Sequence, residues 1–267
     1  VIKLTNAEYH ANTESVSKSM LDKIHKAPAC LRSYLDGERA EPTPAMVFGT
    51  AAHTAVLEPD KLICAPKLDK RTKAGKESAD IFASLWEGRD VVIVDPDTYD
   101  TVRAIAESVR RHPVAARILA QGEAEMSAFG IVEDVRCKAR PDWYDAKLGI
   151  CLDLKTCRGA GPSDFARSVA NYRYHVQAAF YTDVMAADGF PIESFVFVAV
   201  ESAPPFLVGV YVLDSEALEV GRAEYQQDLA LYRECVESGT WPGLSERIEL
   251  ITLPAFYKRR ESCDEWM

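Results

Sequence analysis

The sequence predicts an α/β protein: a central sheet flanked by helices, with a helical elaboration at its N-terminal end. Three observations carry that expectation. Residues 127–133 (SAFGIVE), 136–145 (RCKARPDWYD) and 149–156 (GICLDLKT) read as three successive strands, apolar runs bounded by polar turn residues. A helix begins near Pro162, and a second carries Tyr174, Gln177 and Tyr181 at helical spacing. Two more apolar strand patterns, 194–200 and 206–213, precede a long helix over 215–238.

The remaining elements follow in chain order. Residues 15–35 read as helical, with Ser15 as the N-cap and Pro28 breaking or restarting the helix. A Glu/Pro-rich loop at 41–44 leads to a helix over 45–58, whose Gly49, Ala51 and Ala52 permit close approach to a neighbour. Residues 67–77 form a basic loop, 91–94 a short strand, and 97–120 one or two helices interrupted near Pro113. The first two core strands turn at Glu133-Asp134, and the second pair turns around Ala146-Lys147-Leu148. On the middle strand Lys138, Arg140 and Asp142 share one parity. Trp86 and Trp143 read as core aromatics, and His175, off the face shared by Gln177 and Tyr181, as a pairing or packing residue.

Composition sets the class. The chain has 267 residues, 48% of them hydrophobic, enough for one sizeable core, and no linker, repeat or low-complexity run divides it. One domain over 1–267 is expected, with the chemistry centred on about 125–187. No stretch approaches the roughly 20 apolar residues of a membrane span, so no membrane partner is expected, and no signal peptide opens the chain. Val1 in place of methionine reads as the start of an excised domain. The seven cysteines are odd in number and contain no C-x-x-C pair, which reads as free thiols in a reducing cytosol.

The chemistry lies in residues 140–155, RPDWYDAKLGICLDLK. Asp142 is followed, after ten residues, by Asp153-Leu154-Lys155. Converging carboxylates hold a hard divalent cation. Lys155 lies two residues beyond Asp153 and so faces the same side of a strand, while Leu154 points away and leaves its backbone carbonyl as an oxygen ligand. A metal beside an amine is suited to generating hydroxide and stabilising a pentavalent phosphate. Alone, the pattern is short enough to fall on a solvated hairpin.

More of the chain bears on it. GTAAH (49–53) with LEP (57–59), RPD (140–142), DLKT (153–156) and YRYHVQAAFY (172–181) together resemble the PD-(D/E)xK nuclease superfamily. Within it the chain is most similar to the nuclease domain of exonuclease VIII (RecE) and its phage relatives. The likeness also takes in NAEYH (6–10), the S-x-S-x-L start at 15–21 and KRTKAGKE (70–77). It implies a restriction-endonuclease-like core, a mixed central sheet flanked by helices. It further implies Asp142, Asp153 and the Leu154 carbonyl as metal ligands with His53 beside them, Lys155 working on the attacking water, and Gln177 and Tyr181 reaching the site from one helix face. Glu125, before the first core strand, stays open between a site role and a solvated acid. Mg²⁺ is the expected metal, with Mn²⁺ able to substitute. Some relatives carry an iron–sulfur cluster on four cysteines; Cys235 and Cys263 lack that close spacing, and none is expected here.

The implied activity is a 5′→3′ exodeoxyribonuclease on linear double-stranded DNA, leaving 3′ tails for single-strand annealing. Its expected partners are duplex ends, further copies of the chain in a ring, and an annealing protein. The enzymatic alternative is a structure- or site-specific endonuclease with the same core; the non-enzymatic one is a DNA-binding scaffold, which would lack an acid or the lysine. A net charge of −10 does not exclude DNA, because local potential decides that contact. Residues 67–76 hold five basic residues and one acid, making Arg71, Lys73 and Lys76 candidate phosphate contacts. Arg140 is another, beside the proposed site with Lys138 and Lys155; the run Lys258-Arg259-Arg260 could also touch DNA or a neighbouring subunit.

Overall fold

A computed structural model gives the fold and describes residues 1–69 and 71–253; Lys70 and the Lys258-Arg259-Arg260 run lie outside the described residues. In chain order the elements are β1 (Ile2–Lys3), α1 (Asn6–Ala11), α2 (Lys18–Lys26), α3 (Pro28–Leu35), α4 (Pro44–Leu57), β2 (Leu62–Cys64), α5 (Lys73–Trp86), β3 (Val92–Val94), α6 (Pro96–Arg111), α7 (Pro113–Ile118), β4 (Glu123–Ala124), β5 (Met126–Val132), β6 (Val135–Ala139), β7 (Trp143–Asp145), β8 (Ile150–Cys157), α8 (Pro162–Asn171), α9 (Tyr174–Ala187), β9 (Ser194–Glu201), β10 (Val208–Val212) and α10 (Ser215–Ser238). It is a mixed α/β fold flanked by helices, as the sequence predicts.

The main sheet has strand order β10-β9-β8-β7-β4. Its centre is the parallel pair β8–β9, in which Asp153 lies opposite Phe197 and Lys155 opposite Ala199; the other neighbours are antiparallel. A smaller sheet, β1-β5-β6, stands beside it. The expected middle strand, 136–145, is thus two strands in two sheets. Pro141 has no N–H to give a ladder and breaks the pairing, so β6 stays with β5 while β7 joins β8. Glu125 makes the opposite crossing, between β4 and β5, with φ of 57°, a left-handed conformation unusual for a side chain of its size. The two crossings touch: the Glu125 amide donates to the Asp142 carbonyl at 3.1 Å.

Alternation along β8 and β9 divides the core. Cys151, Phe195, Phe197 and Ala199 pack with α2, α9 and α10 residues such as Leu21, Phe180 and Leu229. Leu152, Leu154, Val198 and Val200 pack on the other face with Ala51, Ala52, Val102 and Ile105 from α4 and α6. The small residues of α4 serve close approach: a Cβ at Gly49 would stand 3.7 Å from Thr156 Oγ1.

Several expectations need correcting. Ser15 does not cap the first long helix, which starts at Lys18 after Ser17. Val16 is drawn instead into pairing with the second sheet: its amide donates to the Arg136 carbonyl, and its carbonyl accepts from the Lys138 amide, both at 2.8 Å. The basic loop ends at Thr72, whose hydroxyl caps α5 by accepting from the Gly75 amide at 3.0 Å; Lys73 and Lys76 lie on that helix. Trp86 is not a core residue, since α5 buries no side chain and Arg89 lies 5.4 Å over the Trp86 ring. Trp143 does pack against the α4/α6 core, with its Nε1 donating to the Gln121 carbonyl. His175 pairs, through Nε2 to Glu224 Oε1 at 3.2 Å. No helix of the described residues is long and apolar enough to cross a membrane.

Candidate active site

The site forms where the two sheets part. β8 presents Asp153 and Lys155 on its α9-facing side, while the Leu154 side chain is fully buried in the aliphatic core on the other. Asp153 is itself buried, and Lys155 Nζ sits in direct contact with its Oδ1. Gln177, one helical turn into α9, donates from Nε2 to Asp153 Oδ2. Asp142, just past the Pro141 break, turns its Oδ2 to the Leu154 amide at 2.6 Å. The same oxygen lies 3.4 Å from His53 Nδ1 on α4. Tyr181, the next turn of α9, packs its ring against Phe180 and Phe195. Asp142, Asp153, Leu154, Lys155, His53, Gln177 and Tyr181 are therefore brought together.

Glu125 joins them, which settles where it lies: its Oε2 is 2.9 Å from Arg140 Nε. Arg140 is committed inward as well, donating from Nη2 to Asn6 Oδ1 at 2.6 Å and lying 4.3 Å over the Tyr9 ring. Its side chain is only 10% exposed, so the expected phosphate contact gives way to an internal one. Lys138 does not reach the site. Strand β6 ends one residue after it, and its ammonium is spent on the Tyr9 and Asn12 carbonyls of the N-terminal segment. Arg71 and Lys73 are exposed and face their own acids, Asp69 at 3.1 Å and Glu77 at 3.9 Å. None of Arg71, Lys73 and Lys76 lines the cavity of about 260 Å³ that opens on His53, Glu125 and Arg140.

Three carboxylates, Glu125, Asp142 and Asp153, thus face Lys155, Arg140 and the titratable His53. Burial, with Asp142 next to it, pushes the Glu125 carboxyl up to about 7 despite Arg140. Burial also raises Asp153, and Lys155 offsets this only in part. Burial alone would lower Lys155, but the carboxylates of Asp153 and Asp142 outweigh it and keep the ammonium charged. The same contest raises His53: burial pulls it down and Asp142 more than restores it. The Tyr181 phenol is held well above its ordinary range by burial, then by Tyr9, Asp153, Asp142 and Glu125, so it is a neutral donor.

Does this donor set fit a divalent ion? Among the described residues no three His, Cys, Asp or Glu side chains are already gathered as a coordination cluster. The reason is visible: Lys155 lies on one oxygen of Asp153, and Asp142 is turned to an amide. Asp153 Oδ1 is buried, and among the described residues its contact is the Lys155 ammonium. A cluster rich in carboxylates suits a hard cation. Asp142, Asp153 and the Leu154 carbonyl, with His53 adjacent, are the residues that would hold it.

Residues 17–254 match the family described as "PDDEXK-like domain of unknown function (DUF3799)". The chain belongs to this family. Among solved structures, a candidate exonuclease from Eubacterium rectale superposes on this PDDEXK-like chain with a TM-score of 0.65 and 13% identity, covering 97% of this chain and 98% of its own. A phage-related exonuclease from Haemophilus somnus 129PT gives a TM-score of 0.38 at 12% identity, over 85% of this chain and 96% of its own, too loose a likeness to bear on the argument. No curated protein matches the sequence. The fold is that of the PD-(D/E)xK nucleases, which generally use divalent metals. Sequence reasoning left Glu125 open and did not find Asn6 and Tyr9 at the site. Those residues arrive through the β1–α1 segment, whose docking on β5 and β6 has no local signal in the sequence.

Proposed function

We propose that the chain is a Mg²⁺-dependent deoxyribonuclease that degrades linear double-stranded DNA from its ends, 5′→3′, leaving 3′ single-stranded tails for recombination by single-strand annealing. The observation that supports it most is the convergence of Asp142, Asp153, Lys155 and Gln177 at the parting of the two sheets. A bound divalent ion supplies an activated water and a Lewis acid for the phosphate.

The chain's own residues do the rest. Lys155 holds a positive charge where the attacked phosphate gathers negative charge, and its N–H groups orient the nucleophile. Gln177 fixes the Asp153 carboxylate. Asp142 is set by the Leu154 amide and His53. Tyr181 can donate a hydrogen bond to the phosphate or the leaving oxygen. The end-directed, 5′→3′ part of the reading rests on the resemblance to exonuclease VIII; the Eubacterium rectale protein of similar fold is described as a candidate exonuclease, which bears on end-direction and not on polarity. On the same basis the working form is a ring of identical chains acting with a single-strand annealing protein, and Mn²⁺ replaces Mg²⁺.

The test is a time course on linear duplex labelled separately at its 5′ and 3′ ends, with Mg²⁺, Mn²⁺ or EDTA. Early release of the 5′ label, a lasting 3′ strand and resistance of closed circles support the reading. Rapid cutting of closed circles would move the chain to the endonuclease class, and no hydrolysis with either metal would refute the nuclease reading.

A further inference from the structure

A second concavity, about 1110 Å³, adjoins the site on the far side of Lys155. The first turn of α4 contributes Met46 and Phe48 to it, whereas later turns of the same helix line the cavity at His53. Its floor continues β8 directly from the lysine, through Thr156, Cys157 and Arg158. Tyr174 joins the two spaces, for it lines the groove while its ring lies 4.7 Å from Lys155 Nζ.

An aromatic stack leads from the core into this groove. Tyr174 stacks on Phe197 with centroids 5.9 Å apart at 27°. Tyr172 then stacks on Tyr174, at 5.6 Å and again 27°. The stack ends there: Tyr172 is 62% exposed, so its ring presents an aromatic face to water. Its backbone is anchored, since the Tyr172 carbonyl accepts from Lys18 Nζ at 2.9 Å and its amide donates to the Ser168 carbonyl at 3.0 Å. An exposed aromatic ring on a fixed backbone is a preorganised platform.

The charge pattern agrees. Arg158 is exposed and makes no ion pair among the described residues, while the one acid of the groove, Asp164, is paired with Arg167 at 2.9 Å. The remaining polar lining is hydroxyl: Thr156, Ser168 and Ser202. A terminal aromatic face, an unpaired guanidinium and hydroxyls within one groove match the way single strands are held, by stacking on the base and charge on the backbone.

We propose that this groove binds an unpaired nucleotide next to the scissile phosphate, with Tyr172 stacking its base and Arg158 contacting its phosphate. The assignment to the cut strand rests on the nuclease reading. It adds that the nucleotide lies at an end or outside the duplex, because an internal base stacked in a duplex has no free face for Tyr172.

The test is binding of a fluorescein-labelled thymidine 12-mer by anisotropy in Ca²⁺, together with 2-aminopurine fluorescence in an oligonucleotide carrying that base. Tyr172→Ala should weaken binding about 10-fold, within the range for loss of one base–aromatic stack, and reduce the 2-aminopurine quenching. Tyr172→Trp should retain both, and Arg158→Gln should weaken binding while keeping the quenching at saturation. Thermal melts of the variants should match the parent, since both side chains are exposed. No single-strand binding by the parent, or a Tyr172→Ala variant equal to it, overturns the subsite. If the parent cuts DNA while Tyr172→Ala binds normally, the subsite falls and the nuclease reading stands. If the oligonucleotide binds through Tyr172 but the parent never cuts, the nuclease reading falls and the nucleotide site stands.

Discussion

Gln177 holds the oxygen of Asp153 that Lys155 does not touch. The amide takes Oδ2 and the ammonium contacts Oδ1, so a helix and a strand fix the two oxygens of one buried carboxylate. Gln177→Ala should free that carboxylate to rotate. Partners of this kind typically carry 10–100-fold in metal affinity or activity, and we expect a loss of about that size in divalent-ion affinity by calorimetry. Unchanged affinity with lowered turnover would instead give Gln177 a role on the substrate.

Asp142→Ala and Asp153→Ala should each abolish cleavage and leave binding of duplex ends largely intact. Lys155→Ala should slow single-turnover cleavage by roughly 100-fold or more, as for a positioned electrostatic or acid–base group. It also leaves two buried carboxylates facing each other. Its melting temperature should therefore fall in EDTA and recover with Ca²⁺. A melt indifferent to the ion would show that Lys155 does not share the site with a cation.

The Glu125 carboxyl, raised from 4.5 to about 7 by burial and by Asp142, makes metal-free stability depend on pH. A folded value above the unfolded one means stability present below about 4.5 and lost as pH rises through about 7. In EDTA, the melting temperature of the parent should fall relative to Glu125→Gln across that window. Parallel pH profiles for the two proteins would refute the shift.

Arg173 anchors α9 from its N-cap. It adopts φ of 53° and bonds Glu224 at 2.9 Å, Asp22 at 3.2 Å and Asp228 at 2.7 Å. Asp228 is buried, so Arg173→Ala takes away its guanidinium and leaves it only His25 Nδ1, 3.1 Å from Oδ1. Breaking a buried pair costs about 3–5 kcal/mol, and a drop of roughly 6–20 °C in melting temperature follows for a chain of this size. Arg173→Lys should recover only part, because an ammonium cannot reproduce the three-way fork. A melt shifted by less than about 2 °C in Arg173→Ala would remove this anchor.

Arg71, Lys73 and Lys76 remain the test of the basic run. Changing all three to Ala should weaken duplex binding in Ca²⁺ and flatten its dependence on salt, because fewer counterions are released. The loss should be independent of base sequence. An unchanged salt slope would make this surface an ordinary solvated face.

The sequence made most of the site legible because its residues sit on regular elements. Parity along a strand placed Asp153 and Lys155 together; helical spacing put Gln177 and Tyr181 on one face, and the family resemblance directed that face to the site. What it concealed were consequences of contacts between segments far apart in the chain. Pro141 shows that pairing must stop, but nothing local says that the strand then changes sheets. Lys138 and Arg140 read as charge beside the site, but the N-terminal segment engages them, supplying the Tyr9 and Asn12 carbonyls and Asn6. Trp86 looked like core because large aromatics usually are, yet α5 packs no residue fully inside.

The alternation along β8 ties chemistry and folding to one register. Asp153 and Lys155 share a face with Cys151, and Leu152 and Leu154 fill the opposite core. A single-residue insertion or deletion in the 146–149 turn that shifted β8 against its neighbours would exchange the faces. It would drive a carboxylate and an ammonium into the aliphatic layer and bring leucines into the site. Length changes at that turn should thus be tolerated poorly in evolution, and a lineage that abandons catalysis should do so by point substitution rather than by an indel.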